Sequence, residues 1–317
     1  MSERLVQLMK YHDGDSATRK KVLDRIEDKK LKELLLAEEL DSGVLIQKEV
    51  YRTIHEAMDP TRCMRDALPT IKTNKMYLRY PVVENGIVYA PKVPEATDIP
   101  MAETENLKFA EFRVFKYGIR PVITREMVED AEYDVIARQL KQAGEQLENG
   151  LNLAALEMLM AEADHDNDII TEEDVATVAD IGECIYKLKS KKFLPDTMVM
   201  SPLFEAMLLN DVHLLSAPYP NEKAFRAGDI GKPILGLNLF STNVDAKNAL
   251  FTFGGKNSQD PLALIYDYDQ AGMILMREEL RVERYSDPIK DLVGMSATMR
   301  FGVGKIRDTA ISRLEHK

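Results

Sequence analysis

Cysteine is scarce in this 317-residue chain: Cys63 and Cys184 stand alone, with no CxxC partner. A disulfide framework finds no support, and a reducing compartment fits. Histidine is nearly as sparse. His12, His55, His165, His213 and His316 are scattered and form no HxH or HExxH pair, so nothing points to a catalytic zinc site. No apolar run approaches the roughly 18 residues of a membrane span, and no membrane partner is expected. The opening MSERLVQLMK lacks the apolar stretch and small-residue cleavage site of a secretory signal. Basic residues are a minority, 42 against 53 acidic ones. The net charge of −11 argues against holding nucleic acid by bulk electrostatics.

Catalytic motifs are missing too. There is no GxSxG elbow, and neither cysteine has a local catalytic signature. Gly302-Val303-Gly304-Lys305 and Gly254-Gly255-Lys256 look like phosphate loops but lack the GxxxxGK[ST] spacing, and tight β-turns account for them. Asp164-His165-Asp166-Asn167-Asp168 alternates its acids as a calcium-binding hand does. Its sixth position is Ile169 where glycine belongs, and its twelfth is Val175 where a bidentate glutamate belongs. A solvent-exposed acidic turn is the better reading. A metal-dependent enzyme using the acids of Asp164–Asp174 is the least favoured alternative. No catalytic, cofactor-binding or metal-ligating residue is assigned, and no cofactor is expected.

What the chain does have is 45% hydrophobic content, ample for a core, and a long ribbon feeding a long helix. Met76–Val83 (MYLRYPVV) and Asn106–Ile123 (NLKFAEFRVFKYGIRPVI) are rich in aromatic and β-branched residues and read as strands. Between them lie Asn85-Gly86 and the proline-spaced PKVPEATDIP, which are turn and extended-tip signals. Limbs of about 12 residues would reach roughly 40 Å at strand rise. Such a ribbon has no means of burying both faces within its own subunit, which predicts a neighbour.

Thr124 then reads as a helix cap, with Glu126, Glu129 and Asp130 in the first turns. Ile136, Leu140, Ala143, Leu147, Leu151, Ala154 and Met158 keep a spacing of three or four, so one face of a long helix is buried. Asn149-Gly150 is a candidate kink or break. Between Glu126 and Tyr186 there are 17 acidic residues against only Arg138 and Lys141, a solvated acidic face. Ahead of the ribbon, the first 40 residues hold nine acidic and nine basic side chains among apolar ones. Residues 1–68 therefore read as an amphipathic arm that packs on other subunits, with a small helical domain as the alternative.

Downstream the pattern is mixed. Thr171–Leu188 reads as a helix capped by Thr171, Thr197–Ser201 as a buried strand, and Pro202–Leu209 as a helix opened by proline. Ser216–Gly231 reads as a loop. Leu235–Ser241, Ala249–Phe253, Leu262–Asp267, Met273–Arg284 and Ser296–Phe301 read as strands, and Ile306–Leu314 as a closing helix.

This layout resembles the major capsid protein of tailed viruses, the Hong Kong 97-type fold. Val114–Glu132 (VFKYGIRPVITREMVEDAE) is similar to the family's passage from the returning limb of its extended loop into the spine helix. Thr124-Arg125-Glu126 and Glu129-Asp130 stand where that family has its Ser/Thr-Arg-Glu start and Glu-Asp pair. Pro195–Leu209 resembles the family's buried strand leading through Ser-Pro into a helix. Ile234–Thr242, and Arg281–Leu314 with Met299-Arg300-Phe301-Gly302, resemble later elements.

The resemblance implies an α+β fold. Its parts would be an N-terminal arm (1–68), an extended loop with flanking strands (69–123), a peripheral domain with the spine helix (124–170, returning at 257–290), and an axial domain (171–256 and 291–317). It implies a subunit, not an enzyme, that forms hexamers and pentamers in an icosahedral shell around double-stranded DNA bound without sequence specificity. Portal, scaffold and decoration proteins are the implied partners, and assembly in the host cytoplasm the implied setting. Lys92 and Lys108 lie in the loop region where some relatives form a Lys–Asn isopeptide bond, but no acceptor asparagine or catalytic glutamate can be matched. An encapsulin-like cellular nanocompartment of the same fold is the runner-up.

Overall fold

A computed structural model of the chain describes residues 42–83, 107–124, 133–161, 165–171, 177–209, 235–244, 252–255, 260–287 and 292–316. In chain order the elements begin with helix α1 (Ser42–Met58), helix α2 (Met64–Ala67), and strands β1 (Thr70–Lys72), β2 (Tyr77–Val83), β3 (Leu107–Arg113), β4 (Phe115–Ile119) and β5 (Val122–Thr124). Helix α3 (Tyr133–Met160), strand β6 (Ile169–Ile170), helix α4 (Val178–Ser190), strand β7 (Thr197–Met200), helix α5 (Pro202–Leu209) and strand β8 (Asn238–Ser241) follow. The last part is β9 (Pro261–Tyr266), α6 (Tyr268–Ala271), β10 (Gly272–Asp287), β11 (Leu292–Lys305) and β12 (Ile311–Glu315).

The chain divides into two compact units. One takes in the segments up to Arg62, Phe115–Asn152 and Arg277–Phe301. Its helix α3 buries Leu140, Ala143, Leu147 and Leu151 at the expected spacing. It continues through Asn149-Gly150 without the break that dipeptide suggested, because neighbouring apolar turns are packed and offset glycine's cost of about 1 kcal/mol. Gly144 is where α1 crosses: a Cβ there would lie 2.6 Å from the Ile54 carbonyl oxygen. Val50, Ile54 and Met58 of α1 are buried, and Asn152 donates from Nδ2 to the Thr61 carbonyl at 2.8 Å. The 42–58 part of the expected arm thus packs on its own chain, while residues 1–41 lie outside the described residues.

Thr124 is the last residue of β5 in this unit, and the helix start expected beyond it lies outside the described residues. Thr124 stands opposite Leu292 in the antiparallel β5–β11 pair. Its β-branched neighbours Val122 and Ile123 stand opposite Gly294 and Val293 in the same pair. Residues 125–132, with Arg125, Glu126, Glu129 and Asp130, lie outside the described residues. Next to β5, β4 pairs with β11 from Phe115↔Phe301 to Ile119↔Ala297, and Tyr117 stacks on Phe301 at 4.1 Å.

The second unit, Cys63–Val114, Leu153–Met276 and Gly302–Lys317, is built on a five-stranded mixed sheet in the order β6-β12-β9-β7-β8. Strands β7, β9 and β12 are buried along their whole length. Helices α4 and α5 cover the sheet with Ile181, Cys184, Leu188, Phe204 and Leu208, which pack against Met198, Met200, Leu262 and Ile265. Each such side chain contributes about 1.5–3 kcal/mol by leaving water. Helix α5 starts as expected, with Pro202 at its first position and Ser201 Oγ accepting from the Phe204 amide at 3.3 Å.

Two further expectations need correction. Helix α4 begins at Val178, and its cap is Thr177, whose amide donates to Asp180 Oδ2 at 2.7 Å. Thr171 instead donates its amide to the Glu315 carbonyl at 3.1 Å, extending the β6–β12 pairing. At the other end, Ile306–Leu314 is not a helix. One 3₁₀ turn, Asp308–Ala310, leads into β12, which lies between β9 and β6. Burial on both faces removes the alternation that marks a strand, and Ala310, Ile311 and Leu314 then mimic helical spacing.

Candidate assembly surface

Strands β2 and β3 form the two-stranded ribbon that the sequence suggested, antiparallel from Tyr77↔Arg113 to Val83↔Leu107. Residues 84–106, the expected tip with Lys92, lie outside the described residues. Directly opposed residues share a face of an antiparallel pair. One face carries Leu78, Ala110 and Phe112, which pack with Val114, Met273, Leu275 and Ile306. Phe112 sits over Gly304, where a Cβ would lie 2.2 Å from the ring. The Arg113 carbonyl comes as close to Gly302. Gly302-Val303-Gly304-Lys305 is therefore part of strand β11, not a turn and not a phosphate loop. Its glycines make room for the ribbon.

The other face carries Tyr77, Arg79 and Pro81 on β2, opposite Arg113, Glu111 and Phe109 on β3. All six are exposed, Phe109 by 55%. Arg79 ties this face together. It donates from Nε to the Tyr77 hydroxyl at 3.1 Å, pairs with Glu111 at 3.2 Å, and lies over the Tyr77 ring. The Tyr77 hydroxyl and then the nearby guanidinium charges hold the Glu111 carboxyl below its ordinary value, against the opposing effect of partial desolvation. The ribbon thus has one face packed at Leu78, Ala110 and Phe112, with Tyr80 and Lys108 of that face exposed, and one face exposed at all six residues.

The described residues of the acidic turn make structural contacts. Asp166 is exposed, whereas Asn167 is buried and donates from Nδ2 to the carbonyls of Thr309 and Ile311 at 2.8 and 3.1 Å. Asp168 accepts from Arg313 Nε at 3.1 Å and pairs with its terminal guanidinium nitrogen. Glu315 stands 3.3 Å from the same nitrogen. The turn therefore secures β12. Among the described residues no three His, Cys, Asp or Glu side chains are grouped to hold a metal. His55 is 3.8 Å from Asp59, and His316 is buried at the end of β12. His12, His213, Asp164, Asp174, Val175 and Lys256 lie outside the described residues. Lys108 is an exposed residue of β3 opposite Val82. Sequence reading missed Arg313, because a charged residue inside ISRLE gives no sign that it is buried.

Both cysteines are buried, and desolvation pushes each thiol up to about 12. The folded protein is expected to resist iodoacetamide at pH 8 and to take up two equivalents in urea; rapid labelling without denaturant would contradict this burial. The sign for stability follows. In the unfolded chain the thiols ionise near pH 9 while the folded ones stay neutral, so stability falls progressively between about pH 9 and 12. Tyr266, fully buried and also raised by desolvation, adds to this loss in the same direction.

Comparison with known proteins decides what such a ribbon belongs to. The chain matches the family described as phage capsid protein over residues 109–314, and that described as phage capsid family over residues 42–152. The chain belongs to the phage capsid protein family. No curated protein sequence matches it. Among solved structures, a chain from Mycobacterium phage Ogopogo is 13% identical, with a TM-score of 0.58 over 80% of this chain and 91% of that one. The capsid of cyanophage P-SCSP1u is 15% identical, with a TM-score of 0.57 over 79% and 86%. A virus-like particle from Pyrococcus furiosus is 12% identical, with a TM-score of 0.56 over 84% and 98%. At these identities the likeness is one of fold, and the fold is the Hong Kong 97-type α+β fold. The capsid protein is a shell-forming structural protein, and the family matches do not favour the encapsulin-like alternative.

Proposed function

We propose that this capsid protein forms hexamers and pentamers that close an icosahedral procapsid, and then capsid, around the double-stranded DNA of a tailed virus or provirus. The observation that carries this reading is the exposed ribbon face, where Phe109 and Pro81 form an apolar rung that the second unit leaves uncovered among its described residues. Seating that rung on an adjoining subunit removes it from water, and a closed shell repeats the gain at every subunit. The chain would work as a scaffold of surfaces and not as an enzyme, a reading supported by the use of Asp168 and Asn167 to hold β12. Its net charge of −11 suits a wall that confines DNA without gripping it.

In this reading the arm is 1–68, with 1–41 the part that reaches other subunits because α1 packs at home. The extended loop is 69–123, the peripheral domain 124–170 and 257–290, and the axial domain 171–256 and 291–317. Assembly takes place in the host cytoplasm with portal, scaffold and decoration proteins.

The test is sedimentation velocity and negative-stain microscopy of the full chain beside Phe109→Asp. The wild-type chain is expected to form closed particles. The variant is expected to remain as small oligomers with an unchanged thermal melt, since Phe109 is exposed. A wild-type chain that stays solitary at high concentration defeats the shell reading. A variant that assembles normally defeats only the role of the ribbon.

A further inference from the structure

We infer that the turn closing helix α4, with Lys189, Lys191 and Lys192, is a contact site for the phosphate backbone of the enclosed double-stranded DNA. The inference rests on the shell reading above and adds where the contents touch the wall. Residues 184–195 (CIYKLKSKKFLP) hold four lysines and no carboxylate, in a chain where acidic residues outnumber basic ones by 53 to 42. Lys187 is taken up by the Asp168 carbonyl, to which its Nζ donates at 2.8 Å. Lys189, Lys191 and Lys192 are exposed.

The main chain of this turn is firmly held. The Lys192 amide donates to the Lys189 carbonyl at 3.0 Å and the Phe193 amide to the Leu188 carbonyl at 3.1 Å, the paired bonds of a Schellman helix end. Phe193 and Leu188 are buried in the core behind it. Lys192 takes the left-handed position of that motif, with φ 67°, where glycine is the common residue. A side chain there carries a steric cost, because its Cβ crowds the following carbonyl. The helix dipole accounts for Lys187 and Lys189 in the last turn of α4. Lys192 lies beyond that turn, where glycine would be the more stable choice. What lysine adds at a strained position is a charge, presented on rigid backbone.

The choice of lysine bears on the partner. Contacts between proteins are enriched in arginine and depleted in lysine, whose ammonium is a compact and strongly hydrated point charge. Phosphates accept such charges without a fixed geometry, and a backbone contact reads no sequence. The net charge of −11 leaves the rest of the chain unfavourable to DNA. Three exposed lysines therefore give a weak foothold that acts within a Debye length, about 10 Å at 0.1 M salt, and fades as salt is added.

The experiment titrates a fluorescently labelled DNA duplex of about 20 base pairs with the full chain before assembly, by anisotropy, between about 0.02 M and 0.1 M sodium chloride, and follows shell formation separately by microscopy. For the wild type, the logarithm of the binding constant is expected to fall against that of salt with a slope of about −2 to −3, as for up to three phosphates. Lys192→Gly is expected to make that slope shallower by about 1 while melting no lower than wild type, since it removes a charge and relieves the backbone together. The triple variant Lys189→Gln, Lys191→Gln, Lys192→Gln is expected to bind at least about tenfold more weakly at low salt and to form shells as the wild type does. Triple-variant binding equal to wild type, or wild-type binding indifferent to salt, overturns the inference. So does loss of shells in the triple variant alone, which would make this turn, with the exposed Leu194 beside it, a contact between copies. Wild-type shells without duplex binding defeat the inference and leave the shell reading intact. A wild type that forms no shells defeats the shell reading and removes the enclosed partner with it.

Discussion

Replacing Asp168 by alanine is expected to lower the unfolding free energy of the capsid protein by about 3 kcal/mol, the low end of the cost of breaking a buried pair, because Glu315 stays 3.3 Å from Arg313. The Arg313 side chain is 1% exposed and Asp168 8%, so water has little access to either. Arg313 is held on several sides: Nε to Asp168 Oδ1 at 3.1 Å, its terminal nitrogens to Asp168 Oδ2, to Glu315 at 3.3 Å and to the Met160 carbonyl at 3.4 Å. The two-pronged Asp168 contact is the strong one. Without it the guanidinium keeps, among the described residues, the longer Glu315 contact and the main-chain carbonyl, and β12 loses one of its ties to the acidic turn. Asp168→Asn should recover part of the loss by keeping hydrogen-bonding capacity without the charge. Urea unfolding followed by circular dichroism measures both. A midpoint unchanged in the alanine variant would mean that the pair is neither dry nor strong.

Gly302→Val is expected to be comparably severe, costing about 3 kcal/mol, at the upper end of overpacking effects, and to abolish shells. A Cβ at Gly302 would lie 2.1 Å from the Arg113 carbonyl oxygen, 2.8 Å from its carbon and 3.2 Å from Val114 Cα. All three obstacles are main chain, so no side-chain rotation relieves them. That piece of main chain is fixed in turn, since the Val114 amide donates to the Met76 carbonyl at 3.0 Å. The substitution therefore forces β3 away from β11 and displaces the ribbon at its root. Gly302→Ala should show the same defect in milder form. Thermal melts and particle counts by microscopy follow the two consequences. Normal melting and normal particles would refute the close approach.

Part of the candidate surface is legible in the amino-acid sequence. Aromatic and β-branched residues in MYLRYPVV and in NLKFAEFRVF announce two strands, and Asn85-Gly86 between them announces a return. Which face of the ribbon is exposed is not legible there. Phe109 looks as apolar as Phe112, so residue type does not separate inside from outside. The division is made by Gly302 and Gly304, nearly 200 residues away, which admit one face and leave the other open.

Sequence alone determined the features that depend on near neighbours. The buried stripe of α3 follows from apolar residues three and four apart, which a helix places on one side. The passage from β7 through Ser201 into α5 follows from a hydroxyl and a proline suited to opening a helix. Tertiary structure alone decided the features whose partners are remote. Ile311–Glu315 became a strand because β9 and β6 enclosed it. Arg313 became buried because Asp168 was there to receive it. Local spacing fixes which face of a segment is apolar, but only the folded chain determines what that face meets.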